Sequence, residues 1–311
     1  MTSLVAGASA PVLSLPFVSV IVPVFHDEPA LRRCLRALAA QSYPPALYEV
    51  VVVDNGGNPQ IERIARRFRR VTVVREPAAG AYAARNRGAA VARGEVLAFT
   101  DADCIPDRAW LERAVRALDG APRCGLVAGR IDLFARDPRR PRPSELYETA
   151  AAFRQKDYVE RWRFGATANL MTRRDVFETV GGFDGRLRSL GDREWGRRVF
   201  QAGYDLVYAD DAVVRHPARA SLFDLWRRAA RTAGGFFDLV RTAGYPARAA
   251  WRDAPVGLVP ARHLVGRPRT PADTPWGMRE RVTVAAVALS VILVRVAELA
   301  RRAAGGRARR R

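Results

Sequence analysis

The 311-residue sequence predicts an α/β fold in which helices cover both faces of a mostly parallel sheet. The first observation is that short β-branched runs alternate with segments of helical periodicity between residues 18 and 99. The second is that the apolar run 96–99 leads directly to Asp101 and Asp103, two carboxylates at the end of a predicted strand. Open α/β sheets bind ligands outside the carboxyl ends of their strands, so this edge is the predicted functional site.

Four strands and three helices are predicted in the first hundred residues. The strands are rich in β-branched residues and cover 18–22, 49–53, 71–74 and 96–99. Apolar stripes mark the helices between them: Leu31, Leu35 and Leu38 in the first, Ile61, Ile64 and Phe68 in the second, and residues 82–92 in the third. After the second strand, Asp54-Asn55-Gly56-Gly57 is a strong turn signal.

The pattern is less regular beyond residue 104. Pro106 is predicted to open a helix that carries Trp110 and Leu111, and the Pro- and Arg-rich stretch 137–143 is predicted to be a loop. The remaining predicted elements are an amphipathic segment at 145–159, a strand at 167–171, a helix at 192–201 and strands at 206–208 and 213–214.

The positive charge is concentrated in the C-terminal part of the chain. The net charge is +20, and residues 217–311 contribute +13 of it through 19 Arg against 6 acidic residues. Within this tail, arginines flank the 13-residue apolar run Val282–Val294, which is shorter than the ~20 residues that a bilayer span needs. The pattern favours an interfacial helix on an anionic membrane, and a helix docked on the rest of the protein is the alternative.

An ordered series of motifs resembles the inverting family 2 glycosyltransferases, whose nucleotide-sugar-binding fold is called GT-A. The resemblance covers about residues 16–219. Its motifs are VSVIVPVF (18–25), VVVDNGG (51–57), ARNRGAAVARGEVLAFTDADC (84–104), GGFDGRL (181–187), LGDREWGRRVFQAGYDLVY (190–208) and AVVRH (212–216). It implies a GT-A domain at 16–219, and the charge and the apolar run of the remaining part predict a basic helical, membrane-associated extension at 220–311.

The resemblance implies a nucleotide site and a metal site. Pro23, Phe25 and Asp54 match nucleoside contacts, although an ordinary turn explains Asp54 equally well, and Arg85 and Asn86 match a helix near the nucleotide. Asp103 matches the metal ligand of the family, and Asp101 is expected near the ribose or a metal-bound water. His216 matches a histidine that lies close to the metal and could complete its shell, with capping of the strand end as the alternative. The implied cofactor is Mn²⁺ or Mg²⁺, and an imidazole ligand favours Mn²⁺.

Asp192 is the candidate general base. The family pattern E-D-x-E/D-L reads Gly191-Asp192-Arg193-Glu194-Trp195 here, so the first acid is replaced by glycine. A helix N-cap is the structural alternative for Asp192, and the helix dipole is expected to keep its pKa low. Glu194 and Trp195 are candidates for orienting the acceptor, with helix-core packing as the alternative for Trp195.

The resemblance therefore implies metal-dependent, inverting transfer of a sugar from a nucleotide-diphosphate sugar to a hydroxyl of a glycan or lipid-linked acceptor, as in polysaccharide biosynthesis. No Q-x-x-R-W motif is present, so transfer of single sugars is expected. The expected location is cytoplasmic, peripheral at the inner face of the plasma membrane. A nucleotidyltransferase and a non-enzymatic nucleic-acid-binding protein are the alternatives. This sequence lacks the glycine-rich signature of the nucleotidyltransferases, and the nearly balanced charge of its N-terminal part argues against binding of nucleic acid.

Overall fold

The computed structural model describes residues 15–242 and 276–306. In chain order, its strands are β1 (Val18–Val24), β2 (Tyr48–Asp54), β3 (Val71–Arg75), β4 (Val96–Thr100), β5 (Ile105–Pro106), β6 (Cys124–Phe134), β7 (Asn169–Arg173) and β8 (Asp205–Pro217). The α-helices of these ranges are α1 (Glu28–Ala39), α2 (Pro59–Ala65), α3 (Ala81–Val91), α4 (Trp110–Asp119), α5 (Pro143–Ala151), α6 (Gln155–Trp162), α7 (Arg174–Val180), α8 (Gly191–Gln201), α9 (Leu222–Thr242) and α10 (Met278–Ala303).

The strands form one eight-stranded sheet with the order β3-β2-β1-β4-β7-β6-β8-β5. The pairs among β1, β2, β3 and β4 are parallel, and β6 is parallel to β8. The antiparallel pairs involve β7, which lies between β4 and β6, and the two-residue strand β5. The predicted α/β fold is confirmed. In the part of the sheet that contains both parallel and antiparallel pairs, the end of β8 comes to the same side as the end of β4.

Alternating side chains of the central strands bury apolar surface on both faces of the sheet. Val20 and Val22 of β1 pack with Leu31 and Leu35 of α1, whereas Ile21 points to the opposite face. On that face α3 approaches closely at Gly88, where a Cβ atom would lie 2.5 Å from a methyl group of Ile21. Glycine at this position lets α3 lie flat on the sheet, and the first turns of α3 thereby reach the edge that follows β4.

Several elements differ from the sequence prediction. Pro106 does not open a helix, because it pairs with Val214 in β5 and α4 begins only at Trp110. Strand β6 and helix α7 were not predicted, and the two short strands expected at 206–208 and 213–214 are one strand, β8. The amphipathic segment 145–159 divides into α5 and α6, because the chain leaves the helical region at Ala152 and Phe153.

The C-terminal extension packs on the rest of the chain through α9 and α10. Apolar side chains of α5, α9 and α10 form a third hydrophobic cluster, which includes Tyr147, Leu225, Val284, Val287 and Val291. The prediction of a helical extension is met at 222–242 and 278–303, and its remaining part, 243–275, lies outside the described residues. One face of α10 is therefore buried in the protein.

Candidate active site

Two carboxylates and an imidazole meet where β4 and β8 end. Asp101 and Asp103 follow β4, and His216 is the second-to-last residue of strand β8. The possible ligand atoms of Asp101, Asp103, Cys104 and His216 all lie within 4.8 Å of one another, and Nε2 of His216 is 3.6 Å from Oδ1 of Asp103. The structure thus brings together residues that are separated by more than a hundred positions in the sequence.

The donor set fits a divalent cation. Nδ1 of His216 lies 2.8 Å from the carbonyl oxygen of Pro217, which can only accept, so Nδ1 donates and the Nε2 lone pair of a neutral ring faces Asp103. Burial raises the pKa of Asp103, His216 lowers it in part, and the charge of Asp101 raises it again. A cation would relieve this repulsion between carboxylates. Burial raises the pKa of Cys104 well above its usual range, and its Sγ lies 3.8 Å from the carbonyl oxygen of Ala168.

Arg85 of α3 extends to the carboxylate cluster. Its guanidinium donates to Oδ1 of Asp101 over 2.5 Å, and the residue is buried although it lines the cleft. The Nε of Arg85 is also buried and makes no hydrogen bond within the described part of the chain. A guanidinium group that lines a cleft is suited to an anionic ligand such as a phosphate.

Asp192 lies in the first turn of α8 and also lines the cleft. The N-cap is Leu190, which has left-handed backbone geometry, so the alternative that Asp192 is the N-cap is wrong. Its Oδ1 accepts hydrogen bonds from the Tyr82 hydroxyl at 3.1 Å and from the Arg193 N–H at 2.9 Å. Burial raises the pKa of Asp192, and the charge of Arg85 and these hydrogen bonds lower it only in part. The expected low pKa is therefore corrected, and the shift makes Asp192 a stronger base.

Tyr82 holds the candidate base in place, and it lies one turn before Arg85 on the same face of α3. We expect Tyr82→Phe to lower turnover about 3- to 10-fold, the effect of one hydrogen bond. The hydroxyl stabilises the ionised form of Asp192, so its removal raises the pKa of Asp192. The acidic limb of the pH profile of kcat/KM should move to higher pH. A profile that stays in place would show that Tyr82 does not act on the base.

Two residues that were expected to contact the nucleotide make hydrogen bonds with backbone groups of the protein. The amide of Asn86 exchanges two hydrogen bonds with the backbone of Phe183, at 2.7 and 2.9 Å, and it does not line the cleft. Oδ1 of Asp54 accepts from the N–H groups of Gly56 and Gly57, both at 2.9 Å, as the turn alternative predicts. Pro23 and Phe25 do line the cleft, and Phe25 is 48% exposed.

The two acceptor candidates lie outside the cleft. Glu194 forms a bidentate ion pair with Arg198, which also donates to the carbonyl oxygens of Val180 and Gly182. Trp195 is fully buried, packs against Phe183 and donates to the carbonyl oxygen of Gly181 at 2.9 Å. The core-packing alternative is thus correct for Trp195, and both residues brace the segment that precedes α8.

The cleft has a volume of about 1000 Å³ and includes residues that sequence reasoning missed. One wall comes from α5, α6, α9 and α10 and carries Tyr147, Glu148, Tyr158, Trp162, Arg228, Arg231 and Arg295. Nothing in the local pattern distinguishes these arginines from the many others of the tail. Only the packing of α9 and α10 on α5 places them beside the carboxylate cluster.

Comparisons with known proteins agree with this architecture. A family model for glycosyl transferase family 2 matches residues 19–181. The glycosyltransferase AglE of Haloferax volcanii is 38% identical over 66% of this chain and 68% of its own length. A glucosyl-dolichyl phosphate glucuronosyltransferase of the same organism is 27% identical over 64% of this chain and 68% of its own length. The chain spans about half the length of several further curated relatives.

Among solved structures, the mannosyltransferase PcManGT from Pyrobaculum calidifontis, in complex with GDP-Man and Mn²⁺, superposes with a TM-score of 0.58. The alignment covers 95% of this chain and 77% of that chain at 23% identity, so it shows a common fold.

Proposed function

Since the chain belongs to glycosyl transferase family 2 and has the GT-A fold, we propose that it is a metal-dependent, inverting glycosyltransferase. It transfers one sugar at a time from a nucleotide-diphosphate sugar to a hydroxyl of a glycan or lipid-linked acceptor. The observation that carries the proposal is the single cleft that is lined by Asp101, Asp103 and Arg85 on one side and by the raised-pKa carboxylate of Asp192 on the other. One end suits a diphosphate, and the other suits a hydroxyl that must lose a proton.

The proposed metal ligands are Asp103 and His216, with Asp101 beside them. A bound Mn²⁺ or Mg²⁺ would act as a Lewis acid toward the diphosphate leaving group, and the imidazole favours Mn²⁺. The PcManGT complex was solved with Mn²⁺ and a nucleotide sugar, which supports the proposal for this chain. Pro23 and Phe25 are proposed to contact the nucleoside, and Arg85 a phosphate oxygen.

The protein groups account for the remaining steps of a single displacement. Asp192 accepts the proton of the acceptor hydroxyl as that oxygen attacks the anomeric carbon from the face opposite the leaving diphosphate, which inverts the configuration. Tyr82 and the Arg193 N–H orient the Asp192 carboxylate. Arg85 fixes Asp101 and stabilises negative charge on the leaving group.

Product analysis distinguishes this proposal from the two alternatives. A nucleoside diphosphate released only when an acceptor is added supports glycosyl transfer. Pyrophosphate exchange would indicate a nucleotidyltransferase, and salt-sensitive duplex binding would indicate a nucleic-acid-binding protein. The family match favours the transferase.

We further propose that residues 16–219 form the transferase domain and that 220–311 attach it to an anionic membrane surface at the cytoplasmic face. Helix α10, with 26 residues, is the one helix of the described ranges that is long and apolar enough to cross a membrane. However, Val284, Val287 and Val291 are buried against α5 and α9. The apolar outer face, with Val282, Leu289, Leu293 and Val296 exposed, supports an interfacial position of this helix.

This packing changes the expected result of a truncation. From the sequence alone, deletion of residues 279–311 should release the protein from membranes and spare turnover. The deletion would also remove Val291 and Arg295 from the cleft and open the third hydrophobic cluster. Turnover should therefore fall together with membrane binding.

A sharper test replaces only the outer face of α10. We expect Leu289→Glu with Leu293→Glu to reduce sedimentation with anionic liposomes at low salt at least about tenfold, because both apolar contacts are lost and two negative charges are added. Phe200→Glu, which replaces an exposed apolar residue of α8, is the control and should bind as the parent does. Equal binding of all three proteins would refute the membrane surface.

A further inference from the structure

Arginines of the C-terminal helices line part of the same cleft as the carboxylate cluster. We call the part bounded by Tyr147, Glu148, Arg228, Arg231 and Arg295 the basic chamber. Its three arginines come from α9 and α10, beyond residue 181, where the match to the family ends. The chamber therefore depends on the C-terminal helices α9 and α10.

The basic chamber has an excess of positive charge. Glu148 is fully buried, and its Oε1 accepts from Arg228 at 2.7 Å and from Arg219 at 2.9 Å. Two guanidinium groups thus share one carboxylate, and Arg231 and Arg295 add further positive charge to the wall. Burial lowers the pKa of Arg295, Tyr147 offsets this in part, and Arg228 lowers it again. Crowded, partly desolvated guanidinium groups favour the binding of an anion with several oxygens, such as a phosphate.

This anion is distinct from the diphosphate of the donor. The donor diphosphate is proposed to lie at Asp101, Asp103 and Arg85, which belong to α3 and to the end of β4, whereas the chamber arginines belong to α9 and α10. The basic chamber therefore offers residues for a second anion within the cleft that Asp192 also lines.

The surroundings of the chamber are apolar, and one of its helices has an exposed apolar face. Leu225, Ala229 and Val291 line the cleft and pack in one cluster with Tyr147. On α10, Val291 and Arg295 face the cleft, whereas Leu289 and Leu293 are 59% and 60% exposed on the other side of the helix. A helix with its side chains is only about 10–12 Å across, so a ligand can have its phosphate in the chamber and its chain along α10.

We infer that the acceptor is joined to a lipid through a phosphate, and that this phosphate binds in the basic chamber while a sugar hydroxyl of the acceptor reaches Asp192. The inference rests on the proposed glycosyl transfer and specifies its substrate class. The chamber arginines hold the charged group, and the apolar wall and the outer face of α10 accommodate the lipid.

Titration of the full-length protein with simple amphiphiles tests the inference without an acceptor of known identity. The probes are dodecyl phosphate, inorganic phosphate and dodecyl maltoside, each below its critical micelle concentration, with saturating nucleoside diphosphate and Mn²⁺ to fill the donor site. Dodecyl phosphate should bind at least about tenfold more tightly than either other probe, because only it combines the charged group with the alkyl chain. Arg295→Met should lower that affinity about tenfold or more.

The matched control is Arg279→Met, which removes an exposed arginine of the same helix that does not line the cleft. Its affinity should stay within about twofold of the parent. If Arg295→Met does not fold, Arg231→Gln and its control Arg227→Gln, both at exposed positions of α9, make the same comparison.

Three results would overturn the inference: equal binding of dodecyl maltoside, inorganic phosphate as tight as dodecyl phosphate, or equal losses in Arg295→Met and Arg279→Met. The second would identify a soluble phosphorylated acceptor. A protein that binds no nucleoside diphosphate would instead contradict the proposed transferase function. The titration with dodecyl phosphate alone would still decide whether the chamber binds a lipid phosphate.

Discussion

Asp192→Asn should lower turnover by a factor on the order of 10²–10⁴, the usual range for loss of a general base, while nucleotide affinity changes little. The amide has nearly the same size and can still accept from Tyr82 and the Arg193 N–H, so the geometry of the cleft is kept. It cannot take the proton of the acceptor hydroxyl. Steady-state kinetics with a nucleotide sugar and calorimetry with the nucleoside diphosphate measure the two quantities.

The same substitution should not destabilise the protein at neutral pH. Since the folded pKa of Asp192 is raised above its unfolded value, ionisation of this group costs stability at high pH. That cost is complete above the folded pKa and disappears as the pH falls below the unfolded pKa. The neutral amide avoids it, and Leu190, not Asp192, is the N-cap. The melting temperature at pH 7 should therefore be equal to that of the parent or slightly higher.

Glu194→Gln on the same helix is the matched control. It breaks the ion pair with Arg198, which supports the carbonyl groups of Val180 and Gly182, so stability should fall by about 1 kcal/mol. Turnover should remain near that of the parent because Glu194 does not line the cleft. A large loss of turnover in this variant, with Asp192→Asn nearly active, would show that Glu194 is the base.

Asp103→Ala should abolish the gain in nucleotide affinity that Mn²⁺ provides and lower turnover on the order of 10²-fold or more, since Lewis-acid assistance contributes several kcal/mol. The Asp103 carboxylate lies 3.6 Å from Nε2 of His216, so the substitution removes one of the two proposed metal ligands. Calorimetry of a nucleoside diphosphate with and without Mn²⁺ measures the effect.

Asp107→Ala is the control for this site. Asp107 is a partly exposed carboxylate that follows β5 and pairs with Arg215, but it is not in the cluster. Its metal-dependent affinity should equal that of the parent. If Asp103→Ala keeps the full effect of Mn²⁺, the cation is held elsewhere and the proposed ligand set is wrong.

The first hundred residues illustrate what could be predicted from the sequence. Their strands and helices could be predicted because short apolar runs alternate along the chain with segments of helical periodicity. The runs are clear because β1, β2 and β4 are buried on both faces and consist almost entirely of apolar residues. Strand β6 was not predicted because its pairing with β8 is irregular. The register shifts between Cys124 and Leu126 and again between Gly129 and Ile131. A bulged strand loses the period of two that identifies a strand in sequence.

The sequence by itself determined the family, the α/β fold, and the presence of carboxylates at the end of β4 and the start of α8, because local patterns and motif order carry this information. Only the tertiary structure decided which of the polar residues reach the cleft. Asn86 and Glu194 satisfy neighbouring backbone and side-chain groups instead, and Trp195 fills the core. Arg295 reaches the cleft because α10 packs on α5 and α9. Local sequence encodes which side chains are buried, but a contact between distant segments depends on how the elements pack, and that is set by the whole chain.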